Sequence, residues 1–133
     1  MRIKIVNFAN IYNIHKNAMS DSVIIIPTYN EKENIERMIR TLMALEHSFD
    51  VLVVDDGSPD KSAEVVMRYA LLDPRIHLIR QQNAGPPAAR NRGLRMAQGK
   101  YVYFMDSDDW VEANLLEQLK EVIIGEQPPQ MIV

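Results

Sequence analysis

The chain has 133 residues, of which 47% are hydrophobic and 25% charged, with 5 Gly and 7 Pro; this fits one compact soluble domain and excludes a disordered or fibrous chain. Fifteen Lys and Arg against eighteen Asp and Glu give a formal net charge of -3, which does not point to nucleic acid or an anionic membrane surface. With no Cys, disulfides and thiolate metal sites are excluded, so any metal must be held by oxygen or by the three His; the same absence fits a reducing cytoplasm.

Residues 1–21 read as an extension ahead of the domain. Arg2, Lys4 and Lys16 are scattered among apolar residues with no continuous hydrophobic region and no small-residue cleavage site, a poor signal peptide. Met19, just before Ser20-Asp21-Ser22, is a candidate natural start. No apolar run approaches the ~18 residues of a membrane-spanning helix.

From Val23 the sequence alternates between short β-branched runs and segments of helical periodicity, the pattern of βαβ units and a parallel sheet. Val23 to Ile26 is the first strand, apolar on both faces and hence central, and Pro27 is expected to end it. Asn30 and Glu33 form a capping-box pattern ahead of a helix whose inward face is Ile35, Met38, Ile39, Leu42 and Leu45. Val51 to Val54 is the second strand and Asp55-Asp56-Gly57-Ser58-Pro59 a tight turn, followed by a helical face of Ala63, Val66, Met67 and Ala70. Ile76 to Ile79 is the third strand. Gln81 to Pro87 then reads as a loop, Ala88 to Met96 as a helix closed by Gly99, and Tyr101 to Met105 as the fourth strand. Val111 to Ile124 reads as a helix with Leu115, Leu119 and Val122 inward, and Met131-Ile132-Val133 as the opening of a fifth strand.

Three loops follow strands directly: Pro27-Thr28-Tyr29-Asn30-Glu31, Asp55-Asp56-Gly57-Ser58 and Asp106-Ser107-Asp108-Asp109. Singly they read as a strand stop with a helix cap, a turn, and a solvated acidic end. Ligands of open α/β sheets bind outside the carboxyl ends of the strands, so the three together should line one crevice. Their chemistry is complementary. The Tyr29 ring can stack on a nucleobase, Asp56 can accept from a base imino or amino group, Asp106 can take ribose hydroxyls, and Asp108 can hold a hard cation that bridges two phosphates. Carboxylates this close together repel one another, and a bound Mg2+ or Mn2+ would offset that repulsion. The set describes a nucleoside diphosphate site. Neither Gly-x-Gly-x-x-Gly after the first strand nor Gly-x-x-x-x-Gly-Lys is present, so the dinucleotide and P-loop readings lack their phosphate cradle, as does a sugar nucleotidyltransferase.

From Ser22 to Val133 the chain resembles the family-2 glycosyltransferases of the GT-A fold. Val23-Ile24-Ile25-Ile26-Pro27-Thr28-Tyr29-Asn30 looks like that family's first strand and base-binding loop, and Val53-Val54-Asp55-Asp56-Gly57-Ser58 like its second. Asn83-Ala84-Gly85-Pro86-Pro87-Ala88-Ala89-Arg90-Asn91-Arg92-Gly93 is similar to the segment before the metal strand, and Phe104-Met105-Asp106-Ser107-Asp108-Asp109 matches the Asp-x-Asp motif.

The resemblance implies a Rossmann-like α/β domain over residues 22–133, with a mostly parallel sheet flanked by helices and cut before the acceptor-binding half. It places Pro27, Tyr29 and Glu31 along the base and ribose, Asp56 at the base edge, Asp106 and Ser107 at the donor, and Asp108 on Mg2+ or Mn2+, with Asp109 as a supporting or capping carboxylate. Arg90 and Asn91 would lie near the diphosphate or brace the Asp-x-Asp loop, with helix-capping and packing roles open to them as well. The implied activity is metal-assisted, inverting transfer of a sugar from a nucleoside diphosphate, UDP ahead of GDP, to a saccharide or polyprenyl-phosphate acceptor in polysaccharide biosynthesis. The expected location is cytoplasmic, with the inner face of the membrane as a peripheral site. The family's catalytic base belongs to a later segment, expected beyond Val133; Glu112 and Glu117 read as solvated helix charges, and His15, His47 and His77 match no motif. The rival reading is a nonenzymatic nucleotide-binding module, or an inactive fragment that needs a partner.

Overall fold

The computed structural model describes residues 2–5, 22–45, 49–97, 101–109, 114, 117–118 and 131–132. Among the described residues the delimited elements follow in the order β1 Arg2–Ile5, β2 Ser22–Thr28, α1 Lys32–Met43, β3 Asp50–Asp55, α2 Ser62–Leu72, β4 Ile76–Arg80, α3 Pro86–Met96, β5 Tyr101–Phe104 and β6 Met131–Ile132. They form one sheet in the order β4-β3-β2-β5-β1-β6. Strands β4, β3, β2 and β5 are parallel, while β1 pairs antiparallel with both β5 and β6. The chain builds outward from β2 through β3 to β4, then crosses back to lay β5 on the other side of β2. The strand order therefore reverses at β2, the topological switch point over which such sheets hold their ligands.

The all-apolar run of β2 serves both faces of the sheet. Ile24 and Ile26 join Ile35, Met38, Ile39 and Leu42 of α1 and Val66 of α2 in one core, while Val23 and Ile25 join Ala89 of α3 and Val102 of β5 in the other. Side chains alternate along a strand, so a strand covered on both sides has to be apolar at every position. All four of these β2 residues are fully buried, each burial stabilising by about 1.5–3 kcal/mol. Helix α3 lies especially close: a Cβ on Gly93 would fall 2.5 Å from Ile25 Cγ2, so only glycine permits this approach.

Several local expectations are corrected. Strand β2 runs through Pro27 to Thr28, with Pro27 in register with Val54. The carbonyl of Ile25 accepts from Met105 N–H on the β5 side, and that of Thr28 accepts from Asp56 N–H on the β3 side. By this alternation the nitrogen of Pro27 faces the side that β5 has already left at Phe104, so its missing N–H breaks no ladder bond. Asn30 is not the cap of α1. It takes the left-handed conformation (φ 53°), and the helix begins at Lys32 with Glu31 as the flanking residue. Pro86 and Pro87 belong to the first turn of α3 rather than to the preceding loop, because the unbonded donors of a first turn are where proline costs nothing. On α2, Val65 is buried and Met67 is 47% exposed, the reverse of a face carrying Met67 inward.

The strand Arg2–Ile5 was not foreseen, whereas β6 falls where the last strand was expected. Apart from Asn114, Glu117 and Gln118, the expected helix of residues 111–124 lies outside the described residues, as does Gly99.

Candidate functional site

A cleft of about 460 Å3 opens over the switch point, lined from β2 and its loop by Pro27, Thr28, Tyr29 and Glu31 and from the β3 loop by Asp56. Asn83, Gly85, Pro86, Ala89 and Arg90 close one side, and Asp106, Ser107 and Asp108 the other. Of the residues expected at the site, Pro27, Tyr29, Glu31, Asp56, Arg90, Asp106, Ser107 and Asp108 come together here. Asn91 sits on the exposed part of α3 and does not line the cleft.

Local chemistry explains each placement. Because β5 turns away after Phe104, the space beside Pro27 stays open and becomes the floor of the cleft. The Thr28 hydroxyl beside it is buried and has no hydrogen-bond partner among the described residues. A hydroxyl left in that state costs about 1–3 kcal/mol, which a ligand in the cleft could recover. Tyr29 stands at the mouth, 48% exposed.

The first loop is stapled to the second through consecutive backbone donors. Asn30 N–H donates to Ser58 Oγ at 2.9 Å, Glu31 N–H to Ser62 Oγ at 3.3 Å, and Lys32 N–H to an Asp60 carboxylate oxygen at 3.2 Å. Burial favours the neutral form of Asp60, but hydrogen bonds from the Ser62 hydroxyl and N–H and from Lys32 N–H outweigh it and hold its pKa below the ordinary carboxyl value. The left-handed turn at Asn30 is what aims these donors at the neighbouring loop.

The second loop grips the third. The Asp56 carboxylate is almost fully buried and accepts from Gln81 Nε2 at 2.8 Å, Ala84 N–H at 2.8 Å and Gly85 N–H at 2.9 Å. Three of the roughly four acceptor positions of a carboxylate are thus taken by residues 81–85. Gly57, with φ +75°, makes the approach possible, since a Cβ there would meet the Asn83 nitrogen at 2.9 Å. Gly85, with φ +93°, then turns the chain into α3.

The turn after β5 carries the acidic cluster. One oxygen from each of Asp106, Asp108 and Asp109 lies within 4.8 Å of the others, and all three residues are exposed. Asp109 caps the turn, accepting from Asp106 N–H at 2.8 Å, while its own N–H donates to the Asp106 carbonyl at 3.0 Å. Arg90 braces the turn from α3 with a 3.0 Å ion pair to Asp106 Oδ1. Ser107, 2% exposed, donates to Glu31 Oε2 at 2.5 Å. The carboxylate of Asp108 has no protein partner among the described residues. Three clustered carboxylates, one of them uncommitted, suit a hard divalent cation such as Mg2+ or Mn2+ better than a softer metal.

The contacts close a circuit: the β2 loop to the β3 loop, the β3 loop to residues 81–85 and α3, α3 to Asp106 through Arg90, and Ser107 back to Glu31. Thr28, Asn83, Gly85, Pro86 and Ala89 line the cleft without having been assigned a role from sequence. The break of pattern at Asn83-Ala84-Gly85-Pro86-Pro87 was the signal that could have found most of them. His77, assigned no role, pairs with Asp50 at 3.1 Å near the other end of the sheet.

A parallel α/β sheet that presents a loop-lined cleft at its switch point, with a carboxylate turn beyond its fourth parallel strand, is the GT-A architecture of glycosyltransferases. Residues 23–129 match the profile of Glycosyl transferase family 2, and the chain belongs to that family. Glycosyltransferase GlyA of Streptococcus pneumoniae serotype 4 is 38% identical over 105 residues, which are 78% of this chain and 15% of that protein. The glycosyltransferase EpsJ of Bacillus subtilis is 40% identical over 99 residues, 74% of this chain and 29% of that one. Among solved structures, the mannosyltransferase PcManGT from Pyrobaculum calidifontis, in complex with GDP-Man and Mn2+, superposes with a TM-score of 0.69 at 26% identity, over 83% of this chain and 34% of the other. S. aureus TarS 1-349 in complex with UDP gives 0.67 at 31% identity, over 77% and 31%. The chain thus spans between 15% and 34% of the length of these relatives. Among the described residues no helix is long and apolar enough to cross a membrane.

Proposed function

We propose that the cleft binds a nucleoside-diphosphate sugar together with Mg2+ or Mn2+, UDP in preference to GDP, as the donor half of an inverting glycosyltransferase. The observation that carries this reading is the meeting, over one switch point, of an exposed aromatic ring, a buried carboxylate and a three-carboxylate turn. Support comes from the GDP-Man, Mn2+ and UDP of the structural relatives.

In this reading Tyr29 stacks on the base, Pro27 floors its slot, and the remaining acceptor position of Asp56 takes an imino N–H. Thr28 supplies a hydroxyl to the same ligand. Asp106 serves the ribose and Asp108 the metal, with Glu31 and Ser107 beside the donor and Arg90 near the diphosphate. When bound, a divalent cation supplies Lewis acidity, neutralising charge that develops on a departing diphosphate. Arg90 adds a fixed positive charge on the same side, and the packed loops exclude water from the base and ribose.

Deprotonating an acceptor hydroxyl requires a base, and the reading assigns that task to none of the carboxylates lining the cleft. Glu31 is bonded to Ser107, Asp56 to residues 81–85 and Asp106 to Arg90. Transfer to a saccharide or polyprenyl-phosphate acceptor therefore belongs to the full-length protein in this proposal, and donor binding to the present chain. Isothermal titration of UDP and GDP, with and without Mn2+, tests it. Metal-dependent binding of UDP is the expected result; folded protein that shows no metal-dependent binding of either nucleotide would overturn the reading.

A further inference from the structure

We propose that Glu31 and Ser107 form a positioning clamp that sets the metal turn from the nucleotide side of the cleft, rather than touching the ligand themselves. Ser107 stands between Asp106 and Asp108, yet unlike both it is buried and its hydroxyl is spent on Glu31 Oε2 at 2.5 Å. The same oxygen accepts from Asn34 Nδ2 at 3.1 Å, which fixes the carboxylate over the first turn of α1. The backbone of Glu31 is held as well, its N–H on Ser62 Oγ and its carbonyl accepting from Ile35 N–H. Glu31 is therefore anchored at both its backbone and its side chain, and it reaches across 76 residues of sequence to one atom of the turn.

The geometry gives the clamp a specific task. The last ladder bond between β5 and β2 runs from Met105 N–H to the Ile25 carbonyl, so the sheet ladder stops short of Asp106–Asp109. Among the described residues, the other hydrogen bonds and ion pairs of Asp106–Asp109 are internal to the turn or run through the partly exposed Arg90 pair. An exposed ion pair contributes little, which leaves the part-buried Ser107–Glu31 bond as the firmest attachment of the turn to the rest of the cleft among the described residues. Glu31 lies two residues after Tyr29, so the base side and the metal side are set by one short segment. Groups that orient a metal ligand without touching the metal typically alter metal affinity by about 10–100-fold.

This inference rests on the donor-site reading above, and its test separates the two. UDP affinity is measured on the full chain by isothermal titration with and without Mn2+, and the ratio is the metal enhancement. Ser107→Ala and Glu31→Ala are each expected to lower that ratio by about tenfold, the loss in Mn2+ exceeding any loss in metal-free UDP affinity, and the double variant to lower it no further than either single. Glu31→Gln keeps a carbonyl acceptor for Ser107 and is expected to recover most of the enhancement. Thermal melting of each variant accompanies the titrations, and Ser107→Ala, the smallest change, stands if Glu31→Ala does not fold. A loss of metal-free UDP affinity in Glu31→Ala as large as its loss in Mn2+ would show direct ligand contact and overturn the clamp, as would an unchanged ratio in Ser107→Ala. Absence of any metal enhancement in the unmodified chain would instead overturn the donor-site reading, and the clamp with it.

Discussion

At the scale of single residues, the site divides into side chains that face the cleft and side chains consumed in holding it. Tyr29 is the clearest of the first kind: it is half exposed at the mouth of the cleft. Tyr29→Ala is therefore expected to weaken UDP binding by about 1–3 kcal/mol, the worth of one base stacked on a ring, with the melting temperature almost unchanged; titration and thermal melting on the same sample check both. Asp56 combines the two kinds, since its carboxylate lines the cleft while fixing residues 81–85. The chemistry at Tyr29, Asp56 and Asp108 was legible in the sequence because residue type and position after a strand suffice to suggest it. The partners of Asp56 were not, because backbone N–H groups 28 and 29 residues away carry no signature of their own. The left-handed turn at Asn30 was hidden for a similar reason. Asn caps helices and tolerates positive φ alike, and the tertiary bond to Ser58 decides between them.

At the scale of elements, helix periodicity and strand composition found the parallel strands and the helices between them, with errors at the ends. Those errors arise because an end is set by which backbone donors still have partners to meet. Pro27 stays in β2 because β5 has already departed, and Pro86 and Pro87 open α3 because a first turn has donors to spare. The closest contact between elements is that of α3 on β2. Gly93→Ala would place a methyl 2.5 Å from Ile25 Cγ2 and 3.3 Å from Val54 Cγ2, forcing α3 outward. The expected cost is about 1–3 kcal/mol of stability, read by urea denaturation. Arg90 lies one turn before Gly93, so the same variant should also weaken the Arg90–Asp106 pair and lower UDP affinity in Mn2+.

For the whole molecule, the reversal of strand order at β2 decides where the cleft lies; the alternation of β and α segments was enough to anticipate a crevice at the carboxyl ends of the strands, but not the order of the strands. The antiparallel strand Arg2–Ile5 was harder to foresee. Arg2-Ile3-Lys4-Ile5 does alternate polar and apolar residues, but four positions are too few to distinguish from chance, and the partner strand lies about a hundred residues away. Its place in the sheet has a measurable effect. A chain starting at Met19 would lack β1 and leave β5 with a bare edge beside the metal turn. Such a chain is expected to melt at lower temperature and to self-associate through that edge, which calorimetry and light scattering would detect.

The hydrogen-bonded circuit around the cleft also sets a rule for redesign. Exchanging one loop for that of a relative with a different donor would leave its neighbour's donors and acceptors without counterparts. Residues 28–32 therefore have to travel with 58–62, and 81–85 with Asp56 and Gly57. Glu31 and Ser107 have to be exchanged together as well. Specificity in this domain is inherited in pairs of loops, and a library that varies them singly would mostly sample broken pairs.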